Sequence, residues 1–334
     1  MNFRELPLAT RWAAFALAGL VVFLIWDQYF WWKLRDEYAF GFIVPLFVGY
    51  VLFERWPIIA KGLIGEDPAN PSDPPAGLVR ILEPLLLAVA FLMMLGGLAA
   101  FLVGGIYRAM EGQNLISSNF TAFGFANVLL GSVYLYSGRR ANGEVIPMGE
   151  RLQLTFLFLF PAIIWMLSVP MFSAVHKTIS TFLMDKVAVV VYQTFDLLGY
   201  AVIREGSVLK LPLGDVGVED ACSGIRSLTA CLFAGSFLGA VYFDKLWKKI
   251  FLVGTAMVFA FLNNILRSLF LTAWAYAKGP EGLDSHVTPF GIDLGNVHDF
   301  TGWFVLGLTV ICLLVLVKLF SIRLEYELPE EETL

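Results

Sequence analysis

Charge, cysteine and histidine are all scarce in this chain of 334 residues. Only 15% of it is charged, 58% is hydrophobic and the mean hydropathy is +0.73. That balance excludes a soluble globule and describes a protein that crosses a membrane many times. The net charge of -5 comes partly from Glu325, Glu327, Glu330, Glu331 and Glu332, and it offers no basic surface to nucleic acid. Three cysteines (Cys222, Cys231 and Cys312) are too few for a disulfide framework. Cys231 and Cys312 sit inside apolar runs, where cysteine behaves as a small hydrophobe. No ligand spacing of the HExxH or CxxC type occurs, which speaks against a metal site, and no cofactor is implied. The first apolar run lacks a small-residue cleavage site and leads into further membrane segments, so it reads as a span and not as a cleavable leader.

What is present is a series of apolar runs at 11–30, 40–53, 81–107, 120–136, 152–169, 222–243, 247–277 and 300–320. They predict an all-α polytopic membrane protein of about eight transmembrane helices. The first run closes on the aromatic cluster Trp26, Tyr29, Phe30, Trp31 and Trp32, as befits a bilayer interface. The second is short for a full crossing. Residues 61–77, with Pro68, Pro71, Pro74 and Pro75, read as an irregular loop. Gly96-Gly97 and Gly104-Gly105 in the third run suit close helix packing. Residues 171–198 place apolar side chains at helical spacing with one polar side, predicting an amphipathic helix in the membrane interface. Residues 201–212, with a Gly-Ser turn and β-branched residues, predict a small extracytoplasmic β-hairpin. The expected organisation is an N-terminal group of four spans over 1–150, a catalytic membrane region over 151–322 and an acidic cytoplasmic tail over 323–334.

Basic residues set the orientation. Arg4, Arg11, Arg55, Lys61, Arg80, Arg139, Arg140, Arg151, Lys245, Lys248, Lys249, Lys318 and Arg323 fall on the N-terminus, the even-numbered connections and the tail. By the positive-inside rule both termini are cytoplasmic, and the hairpin and Cys222 face outward. Cys222 then opens the sixth run at the water boundary, at or near the first turn of a helix. Free backbone N–H groups and the helix dipole favour thiolate there. Arg226 follows one turn later on the same face. Rise per residue returns the chain from Lys249 to Arg267 over about 27 Å, so Arg267 and His298 come to the depth of Cys222 on the next two helices.

Each residue also has an ordinary structural reading. A cysteine near a helix end is commonly structural, an interfacial arginine snorkels, and His298 can simply open a helix. Against that, an unpaired arginine in Phe261–Leu271 costs about 2.5–3.5 kcal/mol at mid-bilayer, and Asn263 and Asn264 share its face. His176 and His286 lie in polar surroundings and are taken as non-catalytic. A cysteine, a histidine and an arginine at one depth permit covalent acyl chemistry. A transporter and a non-catalytic export or assembly scaffold compete with that reading. A transporter tends to show inverted repeats and ionisable groups near the midplane, and neither is evident.

The segments Ala-Cys222-Ser-Gly-Ile-Arg-Ser-Leu, Asn264-Ile-Leu-Arg267 and His298-Asp-Phe-Thr-Gly302 resemble those of the exosortase/archaeosortase family of membrane cysteine transpeptidases. The likeness is strong over about 155–320 and weaker over the first four spans, although Tyr38-Ala-Phe-Gly-Phe-Ile-Val-Pro resembles the family's N-terminal segment. Where the family often has Ser-His-Gly, this chain has Ala39-Phe40-Gly41, so no role for a histidine carries over. Asp220 stands where a glutamate is common. The resemblance implies Cys222 as nucleophile, Arg267 as charge stabiliser and His298 as acid/base, with the Asp220 carboxylate in support; Arg226, Asn263 and Asn264 are supporting residues by their helix spacing. It implies secreted substrate proteins carrying a C-terminal sorting signal of short motif, transmembrane helix and basic cluster. An acyl acceptor would receive the cleaved chain. The expected location is the cell (inner or cytoplasmic) membrane, with the active site on its extracytoplasmic face.

Overall fold

The computed structural model describes residues 3–65, 78–217, 224–243, 245–288 and 295–325. Eight helical stretches are long and apolar enough to cross a membrane, and a small antiparallel sheet accompanies them: this is an all-α polytopic membrane fold. The chain divides into two compact units, Met1–Phe172 and Ser173–Leu334.

The first unit holds α1 (Leu8–Leu34), α2 (Val44–Ile64, entered through the 3-10 turns of Asp36–Ile43), α3 (Leu78–Glu111), α4 (Leu115–Tyr136), α5 (Met148–Leu157) and α6 (Leu159–Leu167). Helices α3 and α4 approach until backbone meets backbone. A Cβ on Gly97 would lie 2.7 Å from the Gly124 carbonyl oxygen, and one on Gly124 would lie 2.6 Å from that of Gly97. Only glycine fits, and the interhelical gap closes without a hydrophobic force that lipid could not match. Of the glycine pairs noted in the sequence, Gly97 and Gly104 meet α4, and Gly96 and Gly105 do not.

Two departures from the sequence reading have physical causes. The second span runs through Glu54, Arg55 and Pro57 to Ile64, although those residues look like a helix end. The Arg55 guanidinium is buried and donates to the Leu157 carbonyl. That carbonyl lies four residues before Pro161, which has no N–H to give it, so a proline in one helix is answered by a charge from another. The aromatic cluster of α1 also splits. Trp26 and Tyr29 remain exposed, whereas Trp31 and Trp32 turn inward, where their Nε1 groups donate to Ser118 Oγ at 2.8 Å and the Ser168 carbonyl at 3.0 Å.

The second unit holds α7 (Ser173–Leu197), β1 (Ile203–Glu205), β2 (Val208–Leu211), β3 (Gly214–Gly217), α8 (Ile225–Tyr242), α9 (Leu246–Lys278) and α10 (Val297–Glu325). Helix α7 buries Val187, Ala188, Val191 and Phe195 against Leu209, Leu211 and Val216 of the sheet and Ala275 of α9. Its one-sided apolar stripe is therefore met by protein along part of its length. The hairpin is extended by a third strand, giving the order β1-β2-β3 with Leu211 opposite Gly214. Gly-Asp-Val-Gly has too little β-propensity to announce a strand, and β2 supplies the missing preference by pairing. Lys210 Nζ reaches Glu205 Oε1 at 2.6 Å, and that bond raises the ammonium's pKa. Below the sheet, α8, α9 and α10 share a core of Cys231, Leu238, Leu252, Ala256, Ala260, Leu313 and Val317.

Candidate functional site

The three-helix arrangement of α8, α9 and α10 brings two of the expected residues into contact. Arg267 lies on α9, and His298 occupies the second position of α10. Arg267 Nη2 stands 3.1 Å from the His298 carbonyl oxygen, 3.2 Å from its Nε2 and 3.5 Å from its Nδ1. A donor almost equidistant from both ring nitrogens cannot lie in the ring plane without striking the carbon between them. The guanidinium is therefore over the imidazole face, and its true hydrogen bond is to the carbonyl. The in-plane lone pair of Nε2 is not spent on Arg267.

The local sequence explains this placement. Gly302 follows His298 by one helical turn, and a Cβ there would lie 3.4 Å from Arg267 Nη2 and 3.5 Å from its Cζ. The absence of a side chain leaves the guanidinium a flat seat on α10. Arg267 Nε is buried and has no hydrogen-bond partner among the described residues, so one donor of the fork is unspent. Asp299 Oδ1 lies 3.2 Å from His298 Nδ1, and the Asp299 N–H donates to Asn296 Oδ1 at 2.7 Å, a cap that fixes the start of α10.

Asn264 is buried beneath the start of α8. Its Nδ2 lies 3.1 Å from where a Cβ of Gly224 would stand, and Gly224 adopts φ +61, so both space and backbone demand glycine. Asn263 is also buried, but its Nδ2 donates to Thr309 Oγ1, stitching α9 to α10 instead of reaching the guanidinium. Arg226 is exposed in the first turn of α8. Cys222 and Asp220 lie outside the described residues, and the description resumes two residues after the cysteine at Gly224.

The other candidates stand apart. Cys231 is buried in the three-helix core. His286 pairs with Asn296 in an antiparallel bridge that ties together the two ends of the loop leading into α10. Asp299 and Gly302 were visible in the sequence only as parts of a motif; periodicity gave no sign that one faces the imidazole and the other the guanidinium. Two apolar cavities of about 100 and 150 Å³ lie within the first unit and contain none of these residues.

Compared with known families, residues 31–315 match the model described as transmembrane exosortase. The match reaches back into α1 and so takes in the first spans, where the sequence motifs are weakest. No curated protein and no solved structure matches the chain.

Proposed function

Because the chain belongs to the transmembrane exosortase family, we propose that it is a membrane cysteine transpeptidase whose working residues are Cys222, Arg267 and His298. The observation that carries this reading is the packing of Arg267 Nη2 against the His298 ring and carbonyl, with the buried Arg267 Nε lacking a hydrogen-bond partner among the described residues. A charged side chain in an apolar helix is costly and marks a functional site when it has a specific partner.

The chemistry follows from those atoms. The Cys222 thiolate attacks the carbonyl carbon of a substrate amide, and the forming oxyanion takes N–H donors from Arg267. His298, carrying at Nε2 the proton taken from the Cys222 thiol, delivers it to the departing amine as the C–N bond breaks, leaving a thioester on Cys222. The same Nε2 then removes a proton from the incoming nucleophile, which attacks the thioester and frees the thiolate. Substrates on this reading are secreted proteins ending in a short motif, a transmembrane helix and a basic cluster, and the acceptor is a lipid or surface glycan. On this reading, and by the positive-inside rule, the termini are cytoplasmic and the site faces the outer side of the cell membrane.

The test is processing of such a protein in cells expressing single variants. Cys231→Ala and Cys312→Ala should release the C-terminal tail as the parent does, and Cys222→Ala should leave it attached. Tail release by a stably inserted Cys222→Ala protein would overturn the assignment of Cys222 as the nucleophile.

A further inference from the structure

Arg267 cannot decide which nitrogen of His298 carries the proton. It has only donors to offer, and it lies over the ring face. The decision falls to Asp299, whose Oδ1 is 3.2 Å from Nδ1. A carboxylate only accepts hydrogen bonds, so this contact is satisfied when Nδ1 bears the hydrogen and the lone pair is left on Nε2.

We propose that Asp299 is the positioning residue of His298, selecting the Nδ1–H tautomer and holding the ring so that Nε2 is the atom that exchanges protons. The proposal rests on the assignment of acid/base work to His298. Asp299 is itself set by the start of α10, since its N–H donates to Asn296 Oδ1 at 2.7 Å. The order of the segment then has a physical reason. Asn296 caps the helix, His298 presents the base, Asp299 orients it and Gly302 clears room for the guanidinium. A competing account is that Asp299 merely complements the helix dipole in the first turn.

The chain has three histidines, so replacing His176 and His286 by Gln leaves one imidazole to observe. Nitrogen NMR of the full chain in lipid nanodiscs, with ring-labelled histidine, should show the neutral His298 protonated at Nδ1 and bare at Nε2. Asp299→Asn should lose that bias, because an amide can also turn its N–H toward Nδ1 and favour the opposite tautomer. Turnover by Asp299→Asn of a reporter fused to the C-terminal segment of a secreted host protein should fall at least about tenfold in kcat with KM unchanged, a fraction of the 10²–10⁴ that a general base supplies in full. Asp299→Glu should recover part of it. A parent spectrum dominated by Nε2–H overturns the proposal. So does an Asp299→Asn protein with the parent tautomer and kcat and only a lower Tm, which is the outcome of the dipole account. The spectrum should be the same in a Cys222→Ala background, so loss of the nucleophile assignment and loss of this one read out separately.

Discussion

Gly302 and Arg267 are fitted to each other: the guanidinium lies on α10 where Gly302 presents no side chain, 3.4 Å from where a Cβ would be. That spacing is ordinary contact for a methyl group and too small for a branched one. Gly302→Ala should be stable, gaining up to about 1 kcal/mol of helix propensity, and should keep most of its processing rate. Gly302→Val should insert and fold but push the guanidinium off His298, lowering tail cleavage at least about tenfold. Cleavage per unit of folded protein separates the two. Equal rates would show that the seat of Arg267 does not matter.

A second test concerns the first unit and leaves the site alone. If Arg55 serves the carbonyl that Pro161 leaves without a donor, the two substitutions must be coupled. Arg55→Leu alone strands a buried acceptor and should cost about 1–3 kcal/mol. In a Pro161→Ala background the helix supplies its own N–H, and Arg55→Leu should cost distinctly less. A double-mutant cycle on Tm or denaturant midpoint measures the coupling, and additive effects would contradict this origin of the buried arginine.

Much of this was legible in the sequence because its signal is local. Apolar runs of membrane length and a Gly-Ser turn between β-branched residues are properties of a few neighbouring residues, and the eight spans and the β1–β2 hairpin follow from them. What escaped depends on a partner element and not on the segment's own residues. Arg55 looked like a helix end until Leu157 was placed beside it, and the strand Gly214–Gly217 exists because β2 offers it a ladder. In the site, Arg267 and His298 stood out as polar groups in apolar company. The division of labour between Asn263, which binds Thr309, and Asn264, which underlies Gly224, required the helices to be packed. Two side chains sharing a helix face can serve different neighbours.

Orientation has its own measurement. Ser207 lies in the β1–β2 turn, and the positive-inside rule applied to the basic connections predicts that it faces outside. In a background with all three cysteines replaced, Ser207→Cys should react with a membrane-impermeant maleimide in intact cells. Reaction only after lysis would invert the topology and set the site on the wrong face for secreted substrates.

The most direct measurement of the central claim is tail cleavage by Arg267→Lys, normalised to folded protein, with Tm recorded in parallel. Arg267 holds the His298 carbonyl through Nη2 while its buried Nε has no partner among the described residues. Lysine has one nitrogen and cannot do both, although it carries the same charge on a similar stem. The variant should be expressed, inserted and as stable as the parent, yet should process substrate at least about 100-fold more slowly, the scale for losing one oxyanion donor. His298→Gln should fall alongside it, since glutamine can hydrogen-bond but cannot exchange the proton. Processing by Arg267→Lys at the parent rate would contradict the account: Arg267 would then be a membrane anchor, and Arg226, in the first turn after Cys222, would become the candidate for its role.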